Sequence, residues 1–385
     1  MVGIDAEDSP FADGQRNVSV AVEEATNRVF VAYSDAASFN STITTVAFEA
    51  DGSEIWRREI GTYSRDTEPV AMDVAAGRVA LAITDGVGVS WTVLVRAADG
   101  EVTNRLALGR ATTDLAMDDE GGLIVVGEYR GGFSVGETTF PSVTWENIYV
   151  LRFDAAVEPV FGFSLGNPGV SDKEPAVGLA EDGSFYVAAA TGGLPFTRDG
   201  QTFPGQGWLA AFDPEGTTRW VDGASLDGVQ DIVVASTRVL LLAAADRGSV
   251  AGFDLSNETF VAGWTLSGDP SSMSTLNRFP VDEGGLAANG LRVYLSAPGR
   301  IGFTFGGLSI DGVASTDSMV ASMLATGAPS WLMRLNASRD SEAHDVAASA
   351  DFVVVAGRYT GRLDVPGISL PAGTAGSVFV ARIDI

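Results

Sequence analysis

Three short acidic motifs recur in this chain: Asp66-Thr-Glu68, Asp172-Lys-Glu174 and Asp340-Ser-Glu342. Carboxylates two residues apart, repeated in several copies, offer oxygen ligands for calcium, a surface for a cationic partner, or acid–base pairs for a lyase or glycoside hydrolase. The plainer reading is that they cap strand starts and stay solvated, three copies following from duplication alone. Asp114, Asp227, Asp282 and Glu283 fall at similar places in other repeats. His344 is the only histidine, so multi-histidine zinc chemistry is excluded. It has the ordinary pKa of a general base, but a lone histidine at a strand start more often serves as a hydrogen-bonded structural residue. Asp345 follows it and, on a regular strand, points to the other face. Two Gly-x-Ser-x-Gly matches, around Ser134 and Ser164, lie in strand-like segments with no helix to follow. A nucleophile elbow needs that helix, so neither is read as catalytic, and no catalytic residue is assigned.

These residues are positioned by a repeat. An apolar strand runs into a Gly-containing turn and a Trp follows the Gly by four residues in Phe48–Trp56, Phe212–Trp220 and Met323–Trp331. Weaker copies run from Val93 to Gly100, Val150 to Phe161 and Val250 to Val261, and a truncated one ends the chain at Val378–Ile385. Repeats of roughly 40–50 residues built from strands predict sheets arranged around an axis. Each copy begins with two short apolar strands, such as Val18–Val22 with Val29–Tyr33 and Asp345–Ala348 with Phe352–Gly357. Runs apolar on both faces, such as Val353–Val355 and Leu240–Leu242, suit sheets packed between sheets.

The expected architecture is therefore all-β: one seven-bladed β-propeller over residues 1–385, with four-stranded antiparallel blades. The last copy lacks its fourth strand. In the first and sixth copies the Trp precedes the next first strand by 14 residues, and the same distance back from Val18 reaches Ile4. Val2–Ala6 is thus expected to complete the last blade and close the ring, hiding two sheet edges.

The link between second and third strands is read as short in the second and fifth blades. In the third, fourth and seventh it carries an excursion ending Phe140-Pro141, Phe203-Pro204 and Leu370-Pro371. Strand parity puts these excursions, the acidic loops, and Trp91, Trp145 and Trp208 on one face. Aromatic side chains near carboxylates suit a sugar or a cation. The ligand-binding set expected there is Asp66, Glu68, Asp172, Glu174, Asp340, Glu342, His344, Trp145 and Trp208. Trp56, Trp220, Trp264 and Trp331 are assigned to outer strands, packing between blades.

Composition narrows the partners. Acidic residues number 50 against 24 basic, a formal charge of -26. A nucleic-acid binder needs a basic footprint, and an anionic membrane would repel this chain. The same charge keeps an exposed protein dispersed. No cysteine is present, which excludes disulfides and Cys-based metal sites. No apolar run is long enough to span a membrane, and no signal-peptide core stands near Met1.

The run Phe305-Gly-Gly-Leu-Ser-Ile-Asp-Gly through Asp317 to the Gly327 turn and Trp331 resembles the bacterial seven-bladed beta-propeller repeat family. The likeness is good in the fourth, sixth and seventh copies and partial in the first and third. It is poor in the second and fifth, where Asn104 and Val261 stand in the Trp place. The resemblance implies a secreted, periplasmic or cell-surface bacterial protein and supplies no catalytic residues. Its expected role is a non-catalytic binding or structural scaffold for a protein or carbohydrate ligand, with no cofactor other than calcium. The alternatives are a carboxylate-dependent enzyme and a calcium-stabilised carbohydrate-binding module.

Overall fold

The computed structural model describes residues 2–4, 17–37, 40–64, 67–84, 90–108, 110–167, 172–276, 284–299, 303–310, 317–365 and 368–385. Among these residues there are strands and turns and no helix. The 46 glycines and 15 prolines interrupt any helical period, while Val, Ile, Thr and aromatic residues fill the intervening runs.

The basic unit is a four-stranded antiparallel meander. Val18–Glu23, Arg28–Ala37, Asn40–Phe48 and Glu54–Ser64 form the first, and Glu68–Ala75, Arg78–Thr84, Ser90–Arg96 and Val102–Ala107 the second. Ala111–Met117, Leu123–Tyr129, Asn147–Phe153 and Pro159–Leu165 form the third. Asp172–Leu179, Phe185–Thr191, Trp208–Phe212 and Thr218–Gly223 form the fourth. The next begins Gly228–Ala235, Arg238–Val250, Phe253–Thr265, Pro270–Leu276; another begins Gly285–Asn289, Arg292–Gly299, Asp317–Leu324, Pro329–Ala337. The final three strands are Ser341–Ala348, Phe352–Val365 and Ile368–Asp384. Against the last of them Val2–Ile4 pairs antiparallel, Val2 opposite Val380 and Ile4 opposite Val378.

First strands pack side by side: Val18–Glu23 on Glu68–Ala75, and so on in chain order to Ser341–Ala348, which returns to Val18–Glu23. The apolar cores lie between successive sheets. One joins Phe30, Trp56, Leu81 and Val93 across the first two units. Another joins Val20, Val31, Val354 and Val380 across the last unit and the first. Second and third strands are buried on both faces, which explains their unbroken apolar runs.

Small hairpins at Phe133–Val135/Thr138–Phe140, Phe196–Arg198/Gln201–Phe203 and Phe303–Phe305/Leu308–Ile310 occupy second-to-third links. The first two are held by stacked rings, Phe133 on Phe140 at 4.3 Å and Phe196 on Phe203 at 4.4 Å.

The fifth unit departs from the expected layout. Its second-to-third link is not short: Arg238–Val250 and Phe253–Thr265 form one long hairpin turning at Ala251-Gly252, both with positive φ. The turn before its fourth strand is at Gly268, so Ser272, not Val261, occupies the Trp place, and Trp264 sits on the third strand, fully buried. A second Gly-bearing hairpin tip had been read as the strand-three turn.

Candidate functional site

Inside the ring of first strands runs a channel of about 1070 Å³. Its wall carries Asp73, Asp114, Asp231 and Asp345, each half-buried. Every one of these carboxylates reaches the next sheet. Asp114 accepts from Val177 N at 2.8 Å, Asp231 from Leu286 N at 2.6 Å, Asp345 from Val20 N at 2.8 Å and Asp73 from Met117 N at 2.7 Å. Asp73, Asp114 and Asp345 also accept their own following N–H at 2.7–2.8 Å. A first strand is the inner edge of its sheet, so its outward N–H groups have no ladder partner, and these side chains satisfy them.

Local backbone explains the placement. Register shifts between Thr112 and Asp114, Val229 and Asp231, and Ala343 and Asp345 insert one extra residue into each first strand. Such bulges re-aim side chains. The shift at Asp345 breaks the regular alternation with His344, and both residues border the channel. Gly285 occupies the corresponding place between the fifth and seventh units. A Cβ there would lie 2.9 Å from Asp345 Oδ1 and 3.5 Å from Asp231 Oδ2, so the two carboxyls flank it.

The surrounding sheets disfavour charge in the channel. Burial pushes Asp345 up to about 8, with a smaller contribution from Asp231, and pushes Asp231 up to about 7. Asp114 is raised well above the usual carboxylate range by burial, then by Asp231. Asp73 is also raised by burial. His344 is pushed the other way, to about 3, by burial and then by the Arg358 charge. Its ring is neutral at neutral pH.

The expected loop-face set is only partly gathered. Glu68 starts a first strand opposite Thr84 and accepts from Asn17 N at 3.2 Å; Glu342 pairs in register with Arg358. Asp172 starts its strand opposite Thr191, and Glu174 is exposed, with positive φ and its N–H donated to Glu128. Asp340 is exposed beside that edge, and its carbonyl accepts from Thr360. Asp66 lies outside the described residues, as do Asp282 and Glu283. Among the described residues no group of three or more His, Asp or Glu gathers to hold a metal.

Trp145 is half exposed on its loop, but Trp208 is not a surface aromatic. Its side chain is fully buried, edge-on to Phe203 at 5.0 Å, because the Phe196–Phe203 hairpin folds down over it. Trp91 lies against Tyr63, ring centres 5.0 Å apart. Ser134 sits exposed on a hairpin and Ser164 on a strand, with no helix after either. Of the channel aspartates, the sequence reading places Asp114 with the acidic loops and Asp345 beside His344, and misses Asp73 and Asp231. The signal of the channel set was present in the sequence as an Asp before an apolar residue at Asp114-Leu, Asp231-Ile and Asp345-Val, in alternate repeats.

No protein-family model matches this sequence, and no curated protein matches it. Solved structures do. Hydrazine synthase from Kuenenia stuttgartiensis is similar over 99% of both chains, at a TM-score of 0.53 and 10% identity. The polysaccharide lyase Uly1 is similar over 100% of this chain and 94% of its own, at a TM-score of 0.54 and 10% identity. At such identity the likeness concerns the fold alone, and that fold is a β-propeller.

Proposed function

We propose that this chain is a seven-bladed propeller, closed by Val2–Ile4, that works as a non-catalytic binding scaffold of the bacterial envelope or exterior. The observation that carries the non-catalytic reading is the use made of the channel carboxylates. Each accepts a backbone N–H from the next sheet, so they stitch first strands together and are not left free to meet a substrate. The ligand face is the one bearing the first-strand starts and the second-to-third hairpins. Loops that differ between units on a rigid scaffold are where binding develops. Glu68, Glu174 and Glu342 give that face a negative potential suited to a cationic protein surface or to calcium.

Isothermal titration with calcium, and separately with a polylysine peptide, tests this. Replacing Glu68, Glu174 and Glu342 together with Gln is expected to weaken binding without lowering the thermal midpoint. Undiminished binding by the triple variant would place the working face elsewhere.

One observation favours a second reading, a carboxylate enzyme: Asp231 and Asp345 flank Gly285 with pKa values near neutrality. A charge of -26 opposes an acidic polysaccharide substrate, so the enzyme would act on a neutral one. Release of reducing ends from neutral glycans, abolished in Asp231→Asn, would establish it; no release is expected.

A further inference from the structure

Asn289-Gly290, in the turn between the first and second strands of the sixth unit, is the only Asn-Gly pair of the chain. Every other asparagine precedes a residue that carries a side chain. Asn289 and Arg292 close the hairpin, with Gly290 and Leu291 as its two turn residues. Gly290 has a φ of +57°, and a tight hairpin turn calls for glycine at this first central position. It is exposed, as is Leu291, and nothing stands within 4 Å of the place where a Gly290 side chain would begin. Among the described residues no hydrogen bond holds the Gly290 N–H. The nitrogen that follows the Asn289 side chain is thus free of steric cover and of a hydrogen-bond partner.

The amide of Asn289 has a structural task. Its Nδ2 donates to Glu24 Oε1 at 2.8 Å, tying the sixth unit to the first past the seventh. Glu24 stands in the turn that follows Val18–Glu23, where Asn27 N donates to Glu23 O at 2.8 Å. Glu24, Asp119 and Ala288 border this end of the channel. The place beside Glu24 suits a donor, because a second carboxylate there would meet like charge.

We propose that Asn289 is a site of spontaneous deamidation, a covalent change that breaks the Glu24 link. The Gly290 nitrogen gives up its proton to solvent and attacks Asn289 Cγ, forming a C–N bond. The Cγ–Nδ2 bond breaks, Nδ2 leaves as ammonia, and a succinimide ring remains. Water then opens the ring at one of its two carbonyls. Opening at the side-chain carbonyl gives aspartate; opening at the main-chain carbonyl gives isoaspartate, with the backbone running through Cβ. The balance is one water gained and one ammonia lost, with no oxidant or reductant. Glycine permits the attack because no β-carbon shields its nitrogen and its backbone turns freely. Either product replaces the donor amide by a carboxylate beside Glu24. The site lies at the turn end of the first strands, away from their starts, so its failure would leave the loop-face reading standing.

The test incubates the full folded chain in mildly alkaline heavy-oxygen water and then digests it in ordinary buffer. The tryptic fragment ending at Arg292 is expected to gain the label at residue 289, over a period that converts a synthetic Ala-Ala-Asn-Gly-Leu-Arg peptide. Labelling of Gly290→Ala should be about tenfold slower or more. The added methyl meets no atom within 4 Å, and the thermal midpoint checks that this variant folds. Asn289→Asp reads the consequence: hydrogen exchange of the Asn27 N–H should speed severalfold, and adding Glu24→Gln should slow it again. An unlabelled residue 289 in a chain incubated beside the converted peptide, equal labelling of Gly290→Ala, or unchanged exchange in Asn289→Asp would overturn the inference.

Discussion

Trp220 and Gly268 belong to different repeats yet form one contact: a Cβ on Gly268 would stand 2.8 Å from the indole Cδ2. The recurring Gly and Trp, four residues apart in sequence, are thus partners across a sheet boundary. Trp56 packs in the same way under Gly100, the Gly of the turn in the following sheet. Glycine is required there twice over, by φ values of +95° and +75° and by the ring that leaves no room for a methyl group.

Gly268→Ala is therefore expected to destabilise the fold by about 2–4 kcal/mol, combining left-handed strain with overpacking. Gly77→Ala is the control. Its φ is +70° but nothing lies within 4 Å of the added Cβ, so about 1 kcal/mol is expected. Denaturant unfolding of both variants checks the difference, and equal losses would remove the packing argument.

The channel sets a pH dependence whose sign follows from the raised carboxyls. Asp345 goes from an ordinary 3.8 to about 8 in the folded state, so the folded chain holds its proton where the unfolded chain has released it. That contribution to stability is complete below 3.8 and is lost as pH rises through about 8; Asp231 behaves likewise up to about 7. Unfolding free energy should fall between pH 6.5 and about pH 8, a range above the ordinary pKa of His344. In Asp345→Asn the amide cannot accept both N–H groups, costing about 1–2 kcal/mol at pH 6.5. The gap from the parent should narrow toward pH 8.5. A gap that widened with pH would show that the folded state favours the charged carboxylate.

His344 works in the opposite direction. Its folded pKa of about 3 lies below the ordinary 6.5, so its neutral form contributes stability that is full above 6.5 and lost as pH falls toward 3. His344→Gln should leave stability near pH 7 within about 1–2 kcal/mol of the parent and flatten the loss between pH 6 and 4. Unfolding curves at pH 4, 5 and 6 distinguish this, and an unchanged acid slope would assign the loss to other groups.

The repeat was legible because turn glycines and double-faced apolar strands are local signals. Trp56, Trp220 and Trp331 were read as packing residues from spacing alone, though which glycine each met was not written in the spacing. The channel aspartates were harder. A bulge at Asp345 breaks the two-residue alternation that a sequence argument relies on, and burial inside a ring is a property of all the sheets together. Trp208 was misplaced for a related reason. A tryptophan beside a loop looks exposed until the Phe196–Phe203 hairpin is seen to cover it. In the fifth unit the long hairpin carried its own glycine, Gly252, so one turn was mistaken for another.

The pairing of Val2–Ile4 with Val378–Val380 makes the final prediction. Without it the strand Ile368–Asp384 would present its outer edge, and Val378 and Val380, now buried in the core shared by the last and first sheets, would lose cover. An uncovered edge is both a lost set of hydrogen bonds and a template for association. Removing residues 1–8 should lower the thermal midpoint by several degrees, each kcal/mol being worth about 2–4 °C in a large domain. The truncated chain should also form dimers or aggregates at concentrations where the parent does not, because its exposed edge can pair with another copy. Scanning calorimetry and size-exclusion chromatography read the two effects separately. A truncated chain with an unchanged midpoint would mean that the edge is satisfied without this strand.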